Sequence, residues 1–506
     1  MPAASLLALS ACGGIVDETH ETSTSEIKGQ HGRDHDRGRD RGHHHDRGKG
    51  KHHDHDRGKG KHHDHDRGGH ADPHRGERLF ETAFPGTNGR SCATCHVPED
   101  HMVLTPAHVE ARLLEDPNDP LFNRLDADDP LAEEPTYEHL KKGLVRVILT
   151  LPDNMDVIDF EGNVITSPDR TIEVWRAVPT VENAAITAPF QYDGRAETLQ
   201  EQAQGAITAH SEGGEVAKKD LDAIAAFQES LFTSGRARSV AKRLAHGVPL
   251  ENIERPELEM DLTPAQARGL ELYNAACEPC HGGATTRQIV DREIHDLAFV
   301  ELKPDGNVLF DTSVSPPVPV LSPQPNNEFM NIGLGNISYL GQIFGDLFGP
   351  RFNATVPLPQ YRFRFYTDGT RTVKEVDLPP IPVTASGDPF DLFPALDENG
   401  APIVGPNFLP QLFSTDPGRA AITGNPHDFE AFDVPALRGI ANTAPYFHDN
   451  SAETLRDAVD IYSRFILQFF PPLNLPLIHP PEEGSFFPES LTPEEKNDLL
   501  EFLQVL

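Results

Sequence analysis

The chain has no run of about 18 apolar residues, so no segment reads as a membrane-spanning helix. It is short of positive charge: 44 Lys and Arg stand against 79 Asp and Glu, a net charge of -35. That deficit argues against nucleic acid and anionic membrane surfaces as partners. Cysteine is scarce too, with five residues in all: Cys12, Cys92, Cys95, Cys277 and Cys280. They fall as two Cys-x-x-Cys pairs and a single residue, which is not a disulfide framework. Aromatic residues make up 7%, with one tryptophan, Trp175, while 45 prolines and 40 glycines interrupt the chain. Such a composition fits a loop-rich globular protein. At 506 residues the chain is too long for one ordinary core, and two or three domains are expected.

The charge is unevenly spread. Residues 1–74 carry 12 Lys and Arg against 13 Asp and Glu, and the remainder carries 32 against 66. The folded part is therefore strongly acidic. Such a surface attracts a basic electron-carrier protein, or it simply keeps an exported protein soluble.

Leu9-Ser10-Ala11-Cys12 follows a short apolar stretch and reads like a bacterial lipobox, whose cysteine becomes lipidated. Residues 1–20 are read as that signal region, with a lipid anchor at Cys12 as the only membrane attachment. The expected location is the periplasm, or the outer membrane or cell surface as a lipoprotein. Residues 21–74 are read as a disordered tail rich in His, Asp and Gly. The segment Lys49–Gly58 recurs unchanged at 59–68, and 13 of the 25 histidines lie in 31–74. Nothing apolar there can form a core. The tail is either a solvated spacer or a weak binder of Zn, Cu or Ni, and the spacer is favoured.

Two motifs carry the chemistry. Cys92-Ala-Thr-Cys95-His96 is followed 185 residues later by Cys277-Glu-Pro-Cys280-His281. Two cysteines three apart on a helical turn can each add to one vinyl group of a haem, and the next residue brings an imidazole under the iron. Zinc or thioredoxin-like use of Cys-x-x-Cys needs no histidine directly after it. Both motifs follow a helix-like apolar pattern, at Arg78–Phe80 and Ala267–Tyr273. Two covalent c-type haems are expected.

An internal repeat relates the halves. Residues 178–203 and 434–459 are identical at 11 of 26 positions with a fixed offset of 256. The second half therefore carries an insertion, at about 300–425. Asp193 and Asp449 read as N-caps of the helices that follow. The same offset maps Tyr462 onto Ala206, and alanine cannot ligate iron. From spacing alone, Tyr462 is either a haem ligand that the first half lacks or a packed aromatic.

The paired motifs, with Thr443-Ala-Pro445-Tyr-Phe-His448-Asp, resemble the bacterial diheme cytochrome c peroxidase and methylamine-utilisation family. The resemblance runs from about 75 to 506, loosely over 300–425. It implies a mainly α fold with two cytochrome c-like haem domains, 75–255 for the peroxidatic haem and 256–506 for the second. Long irregular loops join them. It implies His96 and His281 as proximal ligands, and a Gln and a Glu about ten residues apart near an Asp-Gly-Arg motif. Gln191 and Glu201 match, around Asp193-Gly-Arg195. Glu201 would move a proton during O–O cleavage and Gln191 would orient peroxide. The resemblance implies a calcium ion between the haems, bound by backbone oxygens of the Thr-x-Pro segment, here Thr443 and Pro445. In this family the residue 17 after that proline is methionine in ordinary peroxidases and tyrosine in the methylamine-utilisation type; here it is Tyr462. Met330 is a weaker competitor for that position. Trp175 does not align with the tryptophan the family uses between haems, so the electron route stays open.

The expected function is an exported diheme c-type cytochrome acting as a peroxidase. It would reduce hydrogen peroxide with electrons from a small donor, a cytochrome c or cupredoxin, or use peroxide to oxidise a partner. The alternative is a non-catalytic electron-transfer cytochrome, which needs both irons six-coordinate. A third reading makes the histidine-rich tail of a surface lipoprotein the working part. Many family members form homodimers, which is the assembly the resemblance admits.

Overall fold

Both helices that lead into the cysteine motifs start on signals written in the chain. Asp72 accepts a hydrogen bond from His74 N and Pro73 opens α1 (Pro73–Glu81). Thr263 and Gln266 close a capping box and Pro264 opens α6 (Pro264–Ala276). The computed structural model describes residues 71–291, 310–313, 318–320, 329–335, 337, 357–366, 376–380, 411–469, 479–482 and 488–506. Cys12, nearly all of the histidine-rich tail and most of the 300–425 insertion lie outside the described residues.

The described part is mainly helical. After α1 come α2 (Pro106–Glu115), α3 (Leu199–Ser211), α4 (Lys218–Gln228) and α5 (Gly235–Ala245). After α6 come α7 (Ala420–Thr423), α8 (Leu455–Ile461) and α9 (Pro493–Leu503). Two long-range helix pairs dominate, α1 with α4 and α6 with α9. Each crosses at a glycine. A Cβ at Gly76 would strike the carbonyl of Ala223, and one at Gly269 would strike the carbonyl of Asp498. The same device thus closes each half around its cysteine motif.

Strands are short but decisive for how the halves meet. β1 (Leu144–Thr150) pairs antiparallel with β3 (Thr171–Ala177), from Leu144↔Ala177 to Thr150↔Thr171. β2 (Met155–Ile158) pairs with β7 (Arg362–Phe365), which pairs with β8 (Val376–Leu378). Two further small pairs are β4 (Phe310–Asp311) with β5 (Val318–Pro319), and β6 (Phe329–Met330) with β9 (Phe432–Asp433). Strands β7 and β8 come from the insertion, yet they extend a sheet begun in the first half. Val147, Leu149, Met155, Val174, Phe363 and Phe365 share one apolar core with Phe429.

The sequence repeat is a structural repeat. Short turns at Ala184–Ile186 and Ile440–Asn442 occupy equivalent places. So do the bridges Phe190↔Ala196 and Tyr446↔Ala452. The two copies also face each other. Ala177 N donates to His448 O (2.6 Å), and Asp433 N donates to Tyr192 O (2.8 Å). Residues 177 and 433 are equivalent under the offset of 256, as are 192 and 448. The two bonds are therefore related by a local pseudo-twofold axis between the halves.

Asp193 and Asp449 are not the helix caps expected from the sequence. The caps are Thr198 for α3 and Thr454 for α8, each completing a capping box with the residue three further on, Glu201 and Asp457. Asp193 is instead fully buried against Arg176 (2.5 Å) and Arg195 (2.7 Å). Arg176 also grips Asp416 with two bonds of 2.6 and 2.8 Å. A carboxylate taken out of water needs this kind of pairing, and the pairing here ties β3 to the loop before α7. Asp449 accepts from Ser451 N (3.1 Å).

Candidate functional site

The cysteine motifs adopt the same local geometry. His96 N donates to Cys92 O (2.9 Å) and His281 N donates to Cys277 O (2.7 Å). The strand bridges that follow, Val97↔Val103 and Gly282↔Gln288, are also 185 residues apart. None of the four thiols is in a disulfide. Burial pushes the Cys92, Cys277 and Cys280 thiols up to about 12 and Cys95 to about 11.

Each imidazole is oriented by a backbone carbonyl. His96 Nδ1 lies 3.1 Å from Met102 O and His281 Nδ1 lies 3.0 Å from Pro435 O. Burial holds both rings down to about 4, so both are neutral at pH 7. With Nδ1–H given to a carbonyl, the lone pair of Nε2 is free to bind a metal. Both rings line one continuous, largely apolar cavity, with Cys277 and Cys280. Its walls include Val178, Val181, Leu334, Val434, Val459 and Leu499. Apolar walls, paired thiols and a pre-oriented neutral imidazole at each end fit two covalently held haems. His96, Cys92 and Cys95 would hold one, and His281, Cys277 and Cys280 the other.

Tyr462 stands in the wall of this cavity, and its ring lies 6.2 Å from that of Phe447. It opens a π-helical turn, Tyr462–Ile466, directly after α8. Such turns shift side chains off the regular helical register. Ser463 secures the turn: its hydroxyl accepts from Ser490 N (3.1 Å) and Leu491 N (3.0 Å). The Tyr462 hydroxyl has no hydrogen-bond partner among the described residues, and burial keeps it protonated well above the usual range. Met330 also lines the cavity. On α8 the lining residues are Leu455, Ala458 and Val459, followed by Tyr462 in the turn; on α3 they are Leu199 and Gln202, and Ala206 does not reach the wall.

The other expected site residues divide. Gln191 lines the cavity, in a left-handed backbone conformation (φ 72°), with its side-chain oxygen 3.4 Å from Arg195. Thr443 and Pro445 line it as well. Glu201 does not line it. Its carboxylate is exposed and accepts from Glu197 N (3.0 Å) and Thr198 N (3.2 Å), closing the capping box of α3. Asp457 fills the same post in the second half. Trp175 is buried in β3 with its ring 4.5 Å from His139, outside the cavity wall. Among the described residues no three His, Cys, Asp or Glu side chains gather to hold a metal ion, so a calcium site here depends on backbone oxygens.

Sequence reasoning missed several cavity residues. Gln202, Gln228 and Glu182 lie in the wall on the His96 side, and Tyr192, Phe432 and His448 lie at the pseudo-twofold axis. His448 stacks on Phe432 (3.8 Å) and meets Tyr192 edge-on (6.4 Å). The offset of 256 was the available signal, since it pairs Gln202 with Ala458 and Tyr192 with His448. Glu430 is also in the wall, from an irregular turn that no motif announces.

Residues 74–229 match the model of the di-haem cytochrome c peroxidase family. A cytochrome c551 peroxidase of Nitrosomonas europaea is 50% identical over 50 residues, 10% of this chain and 15% of that relative. Among solved structures, the chain is similar to a MauG-like protein associated with microbial copper homeostasis. The identity is 17% and the TM-score 0.34, over 86% of this chain and 87% of the other. It is similar too to the diheme peroxidase BthA of Burkholderia thailandensis, with 15% identity and a TM-score of 0.32 over 86% and 85% of the two chains.

Proposed function

We propose that the chain is a diheme cytochrome c peroxidase-like oxidoreductase that carries two covalent haems and takes hydrogen peroxide as its electron acceptor. One observation carries the reading: the imidazoles of two Cys-x-x-Cys-His turns, each tied through Nδ1 to a carbonyl, line a single apolar cavity. Each haem supplies an iron that exchanges single electrons and, where one face is free, reacts with peroxide. The two haem domains are 75–255 and 256–506, and the insertion strands brace the first against the second.

The chain's own groups have distinct tasks. His96 and His281, each neutral and oriented, would each hold one haem iron through Nε2. Tyr462 would be a further residue holding the iron of the C-terminal site; its support is its place in the wall and a hydroxyl with no hydrogen-bond partner among the described residues. Met330 is the competing ligand. Ala206 leaves the N-terminal site without that ligand, which suits peroxide access there. Gln191 orients peroxide through its side-chain amide. Glu201 moves the proton only if its carboxylate leaves the capping box. Gln202 is the neighbour that already lines the wall.

Thr443 and Pro445 offer backbone oxygens for a calcium ion at the joint between the halves. The electrons come from a small cytochrome c or cupredoxin, or peroxide is used to oxidise a partner. Export, the lipid anchor at Cys12 and a homodimer complete the reading.

The test is a peroxide titration of the matured diheme protein, wild type and Tyr462→Phe, followed optically and by EPR. The tyrosine-ligated reading expects one low-spin signal to change in the variant while the other persists. If peroxide is consumed only with reduced donor, and the variant is indistinguishable from wild type, Tyr462 is a packed aromatic. If neither iron responds to peroxide, the chain is an electron carrier.

A further inference from the structure

Glu430 is a carboxylic acid in an unusual place. It is 3% exposed and lines the cavity. Its backbone is left-handed (φ 53°), a conformation that favours glycine and is retained by other residues only when the surroundings enforce it. The surroundings do enforce it: Glu430 N donates to Pro417 O (2.9 Å), and Arg419 N donates to Ala431 O (2.9 Å).

The two carboxyl oxygens are treated differently. Oε1 accepts from Gln411 Nε2 and from the Ser414 hydroxyl, both at 2.6 Å. Oε2 is buried and, among the described residues, has no hydrogen-bond partner. Gly335 presses against this carboxyl group, and any Cβ there would collide with it. Gly335 lies between Leu334 and Ile337, which belong to the apolar cluster packed on Cys277, Cys280 and Tyr462. Glu430 is therefore on the C-terminal side of the cavity. Asp416 is the charged group facing it among the described residues, and Asp416 is itself engaged by Arg176.

We propose that Glu430 is the proton-holding group of the C-terminal haem site, taking up a proton on Oε2 when an electron enters that site and releasing it when the electron leaves. The proposal rests on the haem reading above. Donors fix Oε1 as an acceptor, so the proton belongs on Oε2, the oxygen without a partner. An electron arriving from the donor adds one negative charge to a low-dielectric site. A nearby buried carboxylate is penalised by that charge and binds one proton from solvent, so net charge is unchanged. Burial pushes the Glu430 carboxyl up to about 7, against the two hydrogen bonds and with help from Asp416, so exchange falls at ordinary pH.

The measurement is the reduction potential of each haem against pH in the holoprotein, with haem content measured first. In wild type the C-terminal haem's potential should fall by about 59 mV for each tenfold drop in proton concentration over a window near neutral pH. In Glu430→Gln that slope should vanish while the N-terminal haem is unchanged. Ser414→Ala removes a donor to the ionised form, so its window should move to higher pH. Redox-difference infrared spectra of wild type should show a protonated-carboxyl band that appears on reduction, which keeps the test open if a variant does not fold. Equal slopes in wild type and Glu430→Gln, or no such band, overturn the proposal. A preparation that matures without two haems overturns the haem reading, and this one with it.

Discussion

At the scale of single residues, Glu201 and Gln191 show how little spacing says about direction. They are ten apart and flank Asp193-Gly-Arg195, yet Gln191 faces the cavity and Glu201 faces its own helix start. Thr198-x-x-Glu201 is itself a capping-box pattern, and that was the signal available in the sequence. Glu201→Gln keeps an oxygen acceptor for the cap. If Glu201 moves the catalytic proton, peroxide turnover falls by roughly 10²- to 10⁴-fold with little loss of stability. If the cap is its whole role, turnover is unchanged. Steady-state rates beside urea unfolding decide between the two.

Glu430 carries a stability consequence of its own. Its folded pKa is raised to about 7 from an ordinary 4.5, so the fold favours the protonated form. That contribution is complete below pH 4.5 and is lost as the pH rises through 7. Denaturant midpoints of wild type should therefore decline across this window relative to those of Glu430→Gln.

At the scale of elements, α3 and α8 are copies with different work. Thr198 and Thr454 cap them identically, and replacing either with alanine should cost about 1 kcal/mol of stability. Only α8 leads into the π-helical turn that carries Tyr462. Thr454→Ala should thus also perturb the EPR signal of the C-terminal haem, whereas Thr198→Ala leaves it alone. Identical spectra for both variants would show that the cap does not reach Tyr462. The helices before the cysteine motifs were readable because Pro, Asp, Thr and Gln mark their starts. The caps of α3 and α8 were misread because Asp193 and Asp449 are equally good capping residues. Arg176, distant in sequence, claims Asp193.

At the scale of the whole molecule, buried ion pairs work beside apolar packing: Arg176 with Asp416 joins the halves, and a second pair closes the C-terminal half on itself. Arg438 and Glu257 are both fully buried and bonded in two places. Arg438→Met leaves the Glu257 carboxylate without that partner in the interior, and should destabilise the holoprotein by about 3–5 kcal/mol in urea unfolding. A smaller loss would mean that Arg236, which lies 3.4 Å from Glu257, takes over. The acidic body gives a further expectation. Turnover with a basic donor protein should fall steeply between low and physiological salt, while turnover with a small neutral reductant stays flat.

The sequence by itself determined the haem attachment motifs, because the covalent chemistry needs five contiguous residues, and contiguity is all a sequence displays directly. It also determined the repeat, since aligned copies share an offset whatever their surroundings. Only the tertiary structure decided which side chains look into the cavity. Glu201 turns to its own amides, Glu430 is held inward by a left-handed turn, and Tyr192 meets His448 across the axis. Strand β7 likewise finds its partner β2 about two hundred residues upstream. These outcomes depend on which groups compete for the same buried donors and acceptors once the chain has closed on itself, and that competition has no local signature.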